Sequence, residues 1–275
     1  ASFSFDEQQS ASGEANVESD LIETEDVTGK VTTEYRLSPK FSIASGIHYS
    51  RKEYIEPENQ LANYDILSLP VDFYYKWTPK VDLSFGYKHS IRDVDSYNNP
   101  VTGLFEAYET TTHFVNMGAR GVLMPKLTGF FKVGYTLRDS ESTSIRRDNS
   151  DGTLGLDADL SWATTPKLTN SIKFTRDFGV GGEGDSNEVS SIYVVSQYLL
   201  NSNWSLSPRL GYTLRSYQDE TDRDDQQYTG GLSVNYSPNQ YWNYSAGYSY
   251  SDNDSDRAGS SYREHTFSLS ISLRY

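Results

Sequence analysis

The sequence predicts an all-β protein, a transmembrane antiparallel up-and-down β-barrel of about 14 strands with short periplasmic turns and longer acidic extracellular loops. Two observations support this. Stretches of ten or more residues repeatedly alternate polar and apolar side chains, which is the pattern of a strand with one face in lipid. Short turns separate these stretches, and every tryptophan lies within a few residues of such a turn, as an aromatic girdle requires: Trp77, Trp162, Trp204 and Trp242.

Composition is consistent with this fold. The chain has 275 residues, a mean hydropathy of −0.65 and no apolar run of the ~18 residues that a membrane helix needs. A barrel strand shows only half its residues to lipid, so low hydropathy does not argue against a membrane location. The absence of cysteine excludes disulfides and thiolate metal sites, and the net charge of −14 argues against a nucleic-acid partner. We expect residues 1–275 to form a single outer-membrane barrel domain from which a signal peptide has been removed.

The alternation places fourteen strands between two kinds of connection. The first strand is inferred largely from parity, since its apolar face is only Phe3 and Phe5. The predicted strands are approximately 2–12, 25–38, 40–54, 64–77, 80–92, 107–123, 126–138, 152–164, 167–178, 188–200, 203–216, 226–237, 240–251 and 262–275. The short turns that separate them are Ser38-Pro39-Lys40, Thr78-Pro79-Lys80, Met124-Pro125-Lys126, Thr165-Pro166-Lys167, Asn201-Ser202-Asn203 and Ser237-Pro238-Asn239.

A soluble β-sandwich is the alternative fold. Its strands average about five or six residues, whereas the strands predicted here reach about twelve, which suits a tilted membrane span. A sandwich would also not align every tryptophan beside one set of turns.

The last predicted strand ends in an alternating apolar series with a carboxy-terminal aromatic residue. This resembles the insertion signal that the assembly machinery of the Gram-negative outer membrane recognises. Its residues are Phe267, Leu269, Ile271, Leu273 and Tyr275.

The polar face of the strands is predicted to line the lumen, and it carries more cations than carboxylates. The inward carboxylates are Glu34, Asp72, Asp82, Asp157, Asp159 and Glu264. The hypothesis is a weakly anion-selective pore suited to acidic sugars; the alternative is that the cations pair with carboxylates on nearby strands. The pore-lining basic residues are Lys30, Arg36, Lys76, Lys88, Arg92, Arg120, Lys132, Arg138, Lys173, Arg209 and Arg215.

The negative charge collects in the long connections. A solvated rim is the favoured interpretation, and bridging by divalent cations to lipopolysaccharide head groups is the alternative. The motif Asp252-x-Asp254-x-Asp256 lacks the glycine and distal glutamate of a calcium loop, so no metal site and no cofactor are predicted.

Catalysis is not predicted, although outer-membrane barrels include phospholipases and proteases. By parity His48 faces inward, while His89, His113 and His265 face outward. No serine, histidine and acid converge in a recognisable pattern.

Several short sequence motifs resemble those of a known family. They are Ser38-Pro39-Lys40-Phe41, Thr78-Pro79-Lys80-Val81, Thr165-Pro166-Lys167-Leu168, Gly134-Tyr135-Thr136-Leu137-Arg138-Asp139 and Gly247-Tyr248-Ser249-Tyr250-Ser251-Asp252. These resemble the β-barrel porins encoded in exopolysaccharide and capsule operons of Gram-negative bacteria. The resemblance implies an outer-membrane exit for a polymer, with lipid, lipopolysaccharide, a polysaccharide or oligosaccharide and a periplasmic export component as partners.

Two function classes follow. One is a pore, for export of an exopolysaccharide, for passage of acidic oligosaccharides or for general diffusion. The other is a plugged barrel with a structural or interaction role. The connections expected to fold into a plug are the third, with Tyr97-Asn98-Asn99-Pro100, and the fourth, from Ser142 to Arg147.

Overall fold

The protein forms one large antiparallel sheet that curves into a barrel. The computed structural model describes residues 2–11, 21–56, 62–99, 103–105, 107–140, 149–180, 186–217 and 223–274. Fourteen strands pair in chain order, and the strands at the two ends of the sheet, β1 and β16, contact each other. A separate two-stranded hairpin, β6–β7, interrupts the order between β5 and β8. Among the described residues, no helix is long and apolar enough to span a membrane.

The observed strands agree closely with the alternation in the sequence, and the predicted up-and-down fold is confirmed. The unpredicted feature is the β6–β7 hairpin, which lies within the third connection. The strands are β1 (Ser2–Ala11), β2 (Leu21–Arg36), β3 (Phe41–Glu56), β4 (Tyr64–Lys76), β5 (Val81–Val94), β6 (Tyr97–Asn99), β7 (Gly103–Phe105), β8 (Tyr108–Met124), β9 (Leu127–Ser140), β10 (Asn149–Thr165), β11 (Leu168–Val180), β12 (Ser186–Leu199), β13 (Trp204–Tyr217), β14 (Asp224–Tyr236), β15 (Trp242–Ser255) and β16 (Tyr262–Leu273).

The short turns are held by side-chain oxygens that accept backbone hydrogen bonds. Ser38 Oγ accepts from the amides of Lys40 and Phe41, at 3.3 and 3.2 Å. Thr78 Oγ1 likewise accepts hydrogen bonds from the amides two and three residues later in the chain. Asn201 Oδ1 and Asn239 Oδ1 accept from the amides at the same two offsets. Serine, threonine and asparagine favour turns through such local bonds. This explains why the turn motif recurs at one end of the barrel.

The outer face of the barrel is apolar. Tyr35, Met117, Leu210 and Leu269 are among its exposed side chains. An aqueous protein would bury such a surface, but lipid solvates it. The side chains of the opposite parity therefore face the lumen, where the polar residues meet.

Candidate pore interior

Ion pairs between non-neighbouring strands cross the lumen. Arg120 on β8 binds Glu34 on β2 at 2.7 Å, although three strands separate β8 from β2 in the sheet. Lys132 on β9 binds Asp72 on β4, also at 2.7 Å. These contacts join facing walls directly, so the lumen is narrow between them.

Within the described residues, five of the eleven predicted lumen cations form ion pairs. Besides Arg120 and Lys132, Lys88 pairs with Asp177 at 2.8 Å, Arg138 with Asp151 at 2.7 Å, and Lys173 with Asp159 at 3.5 Å. Arg120 also bonds Asp82 at 3.1 Å. Each pair places a positive charge beside a carboxylate, so these cations add little net field to the lumen.

The other six cations have different surroundings. Arg92 donates a hydrogen bond to the carbonyl of Phe178 at 3.2 Å, and Arg215 donates one to Gln227 at 3.1 Å. Lys30, Arg36, Lys76 and Arg209 have no carboxylate within 4.0 Å in the part of the chain that the structure describes. Arg209 lines a small cavity of about 310 Å³ that Glu264 also lines.

A larger cavity occupies the lumen between β2 and β10. Its volume is about 1180 Å³, and it extends to the short-turn end of the barrel, because Pro79 and Lys80 of one turn line it. Its walls carry six lysine or arginine side chains and four carboxylates, so its lining has a net positive charge. These side chains are Lys30, Lys76, Lys80, Lys88, Arg120, Lys132, Glu34, Asp72, Asp82 and Asp157.

The opposite end of the lumen is packed rather than open. Ala62, Val94 and Tyr108 are buried together at the long-loop ends of β4, β5 and β8, and Tyr64 packs against them. Val180, from the end of β11, packs against the same cluster. Because three strands lie between β5 and β11 in the sheet, this contact crosses the lumen.

At this end β11 separates from β10 but stays paired with β12 as far as Val180 and Ser186. Its ladder with β10 runs up to the Leu156–Arg176 pair, although both strands continue beyond it. Phe178 shares the parity of Phe174 and Ile172, yet it is 5% exposed and lies under the Arg138 guanidinium, 4.3 Å from its ring centroid. Lys88 and Arg92 bind Asp177 and the Phe178 carbonyl from the facing wall. We call residues Asp177–Val180 the inward segment.

The inward segment is the end of β11, beside the fifth connection, and is not part of the connections predicted to form a plug. The third connection contributes the β6–β7 hairpin, with Tyr97 paired to Phe105. Pro100 and the stretch from Ser142 to Arg147 lie outside the described residues.

The wall formed by β13–β16 is lined differently. Four rows of cross-strand neighbours face the lumen there, and small or hydroxylated residues fill most positions. Ser205, Asn235, Ser245 and Ser270 form one row; Ser207, Ser233, Gly247 and Ser268 form the next; Arg209, Gly231, Ser249 and Thr266 follow; and Gly211, Thr229, Ser251 and Glu264 complete the set. The lumen thus has one charged wall and one hydroxylated wall.

The predicted girdle residues lie on the outer face at the short-turn end. Trp77, Trp162, Trp204 and Trp242 are all exposed, and Trp204 stacks on Tyr236 with ring centroids 4.4 Å apart. In the last strand, Phe267, Leu269, Ile271 and Leu273 are exposed on the same face, while Tyr275 lies outside the described residues.

The histidines occupy the faces that parity assigns them. His113 shares a hydrogen bond with the Tyr87 hydroxyl at 2.7 Å, and His265 shares one with the Tyr248 hydroxyl at 2.9 Å. His48 lines the large cavity. Among the described residues, no three histidine or acidic side chains form a group that could hold a metal ion.

Three residues that shape the interior were not singled out from the sequence. Asp177 and Phe178 were missed because the alternation of side chains along a strand does not reveal where that strand separates from its neighbour. Asn116 was missed because a single inward amide has no distinctive pattern. The run Gly86, Asn116, Gly134 and Gly155, at one height on four adjacent strands, becomes visible only when the register is known.

Comparisons with known proteins agree with this architecture. The model of the family described as "Putative beta-barrel porin 2" matches residues 97–275. No curated protein matches the sequence.

The solved structures that resemble the chain are outer-membrane barrels. The FrpB iron transporter from Neisseria meningitidis superposes with a TM-score of 0.60 at 8% identity, over 93% of this chain and 49% of that one. The ferric-catecholate import receptor Fiu from K12 E. coli gives 0.53 at 14% identity, over 94% and 53%. The chain spans about half the length of these proteins. At such low identity the likeness shows the fold alone.

Proposed function

Because the chain belongs to the family described as "Putative beta-barrel porin 2", whose barrels lie in the bacterial outer membrane, we propose that it is a pore that passes an exopolysaccharide or acidic oligosaccharides outward from the periplasm. The observation that carries this proposal is the large cavity, which reaches the short-turn, periplasmic end and has a net positive lining. An anionic chain entering from the periplasm would meet Lys76 and Lys80 first.

The hydroxylated wall suits the same substrate class. Serine and threonine hydroxyls both donate and accept hydrogen bonds, so they can exchange partners with the hydroxyls of a sugar chain as it moves. Because most inward positions on that wall are small, it leaves space for the chain. We also propose that lipid and lipopolysaccharide surround the barrel and that a periplasmic export component delivers the polymer.

A second function is favoured by the packed outer end. A barrel closed by the inward segment would be a structural or interaction protein of the envelope. In the pore proposal, the inward segment instead moves aside during passage. The family and the lumen favour a channel over an enzyme.

Single-channel conductance separates these functions. The refolded, heat-modifiable barrel is inserted in a planar bilayer under a salt gradient. A stable channel whose reversal potential favours anions supports the pore. A folded barrel that never conducts, with or without a periplasmic acidic oligosaccharide, supports the plugged barrel. A cation-selective channel contradicts the proposed substrate class.

A further inference from the structure

The large cavity contains a buried amide with an unused hydrogen-bonding atom. Asn116 is 4% exposed and lines the cavity, and its Oδ1 has no hydrogen-bond partner among the described residues. A buried polar atom without a hydrogen bond destabilises the fold, and native proteins retain few such atoms. An amide side chain can also donate and accept at once, which suits two adjacent hydroxyls of a ligand.

Glycines on neighbouring strands make room for this amide and the side chains beside it. Asn116 pairs with Gly86 on β5 and with Gly134 on β9, and Gly134 pairs in turn with Gly155 on β10. A Cβ atom on Gly86 would collide with the side chains of Asp72 and Asn116, and one on Gly155 would collide with the Phe114 ring. The side chains of Asp72, Asn116 and Phe114 therefore fill the space above these glycines and lie close against the wall; we call the part of the cavity that these three side chains line the recess.

The recess is bordered by an unpaired carboxylate and by aromatic rings. Asp157 lies two residues beyond Gly155 on β10 and lines the cavity, and in the described part of the chain it has no cation within 4.0 Å. The other carboxylates that line the cavity, Glu34, Asp72 and Asp82, are all ion-paired. Phe114 and Phe130 also line the cavity. Aromatic faces and a few convergent polar groups are characteristic of a site for an organic ligand.

Strands β2 and β3, which also border the cavity, supply a histidine and a cation without an ion pair. Lys30 and His48 are direct partners across the β2–β3 ladder, and both line the cavity. His48 Nε2 is a second buried atom with no partner in the described structure. Lys30 has no carboxylate within 4.0 Å in the same set of residues.

From this arrangement we infer that the recess is a binding site for one acidic sugar unit, a pyranose ring that carries a carboxylate. The sugar hydroxyls bind Asn116, Asp157 and His48, the ring packs on Phe114 or Phe130, and Lys30 pairs with the sugar carboxylate. The inference rests on the proposed function, because it names the substrate of the same lumen. A polymer would occupy this site one unit at a time as it passes.

Binding is tested without any need for conduction. The refolded barrel in detergent is titrated calorimetrically with an oligomer of uronic acid units and with a neutral oligomer of equal length. We expect Asn116→Ala and Asp157→Asn each to weaken binding of the acidic oligomer by about tenfold, because the first removes the amide and the second replaces a charged hydrogen-bond acceptor by a neutral one. Lys30→Gln should remove the preference for the acidic oligomer over the neutral one.

The controls make the same kinds of substitution at residues that lie outside the recess. Asn170→Ala changes an amide on the outer face of β11, and Asp159→Asn changes the next inward carboxylate on β10; both should bind as the unaltered barrel does. Equal affinity in all variants, or no binding of either oligomer, overturns the inference. Block of the channel current by the same oligomers is measured in parallel. Binding without any channel would contradict the pore but keep the site, and a channel without binding would do the reverse.

Discussion

At the scale of single residues, the net charge of the lumen depends on which cations lack partners. Cross-lumen pairs such as Arg120–Glu34 and Lys132–Asp72 neutralise side chains that parity alone assigns to a basic lining. Around the large cavity, Lys30, Lys76 and Lys80 remain without an ion pair in the described structure. A charge in a pore acts on passing ions to the extent that no countercharge lies beside it.

The three unpaired lysines should therefore set ion selectivity. Replacing Lys30, Lys76 and Lys80 together by glutamine should shift the reversal potential towards cations. The control triple is Lys40→Gln, Lys126→Gln and Lys167→Gln, which removes the same charge from short turns outside the cavity. If the two triples shift the reversal potential equally, the cavity lysines have no special role.

The pair between Lys132 and Asp72 should stabilise the barrel. The side chains are 18% and 13% exposed, so Lys132→Met would leave Asp72 as a largely buried, unpaired carboxylate. We expect the free energy of unfolding in urea to fall by about 2 kcal/mol, and the double variant Lys132→Met with Asp72→Asn to recover most of it.

An exposed pair between neighbouring strands gives the matched control. Lys173 and Asp159 are 64% and 46% exposed, so Lys173→Met should cost about 0.5 kcal/mol or less. Equal losses for Lys132→Met and Lys173→Met would contradict a stabilising role of the cross-lumen pair.

The side chains that enter the lumen could be predicted from the sequence, but their partners could not. Alternation assigns Arg120 and Glu34 to the same face because it is a local property of each strand. Their contact depends on how closely β2 and β8 approach across the lumen, which is set by the curvature of the whole sheet. Asn116 illustrates the same limit, because the glycines at its height lie on three other strands.

At the scale of elements, the end of β11 controls the outer mouth of the lumen. The strand separates from β10 beyond Arg176 and brings Phe178 and Val180 against the facing wall. The alternation of side chains predicted β11 well because the strand pairs with β10 from Leu168 to Arg176. The alternation continues to Phe178, which has the parity of Phe174, but Phe178 is buried because this strand end separates from β10 and packs under Arg138.

Shortening the side chains of the inward segment should open the barrel. We expect the double variant Phe178→Ala with Val180→Ala to raise single-channel conductance several-fold, because the packing that closes the outer end is lost. Phe174→Ala, on the same strand and on the lipid face, should leave conductance unchanged. Unchanged conductance in the double variant, with the barrel still folded, would show that other residues close the mouth.

At the scale of the whole molecule, the barrel is asymmetric along its axis. The large cavity extends to the periplasmic turns, whereas the buried side chains of the lumen, such as Val94, Tyr108, Thr110 and Asn187, cluster towards the long loops. Sequence reasoning predicted the two ends correctly, because tryptophans and short turns mark one end and acidic connections mark the other. It could not predict which end is closed, because closure depends on contacts between strands that are distant in the sheet.

This asymmetry predicts one-sided access to the cavity. The chain has no cysteine, so a single introduced thiol reports its own position. In vesicles that contain barrels of one orientation, the cysteine of Ala44→Cys, which lines the cavity, should react with a membrane-impermeant maleimide only from the periplasmic side. Asp256→Cys, in the connection between β15 and β16, should react only from the outside. Rapid labelling of Ala44→Cys from the outside would mean that the inward segment does not close the resting pore. Slow labelling from the outside that accelerates in the Phe178→Ala, Val180→Ala background would identify the inward segment as the barrier, because that variant alters only the packing of this strand end.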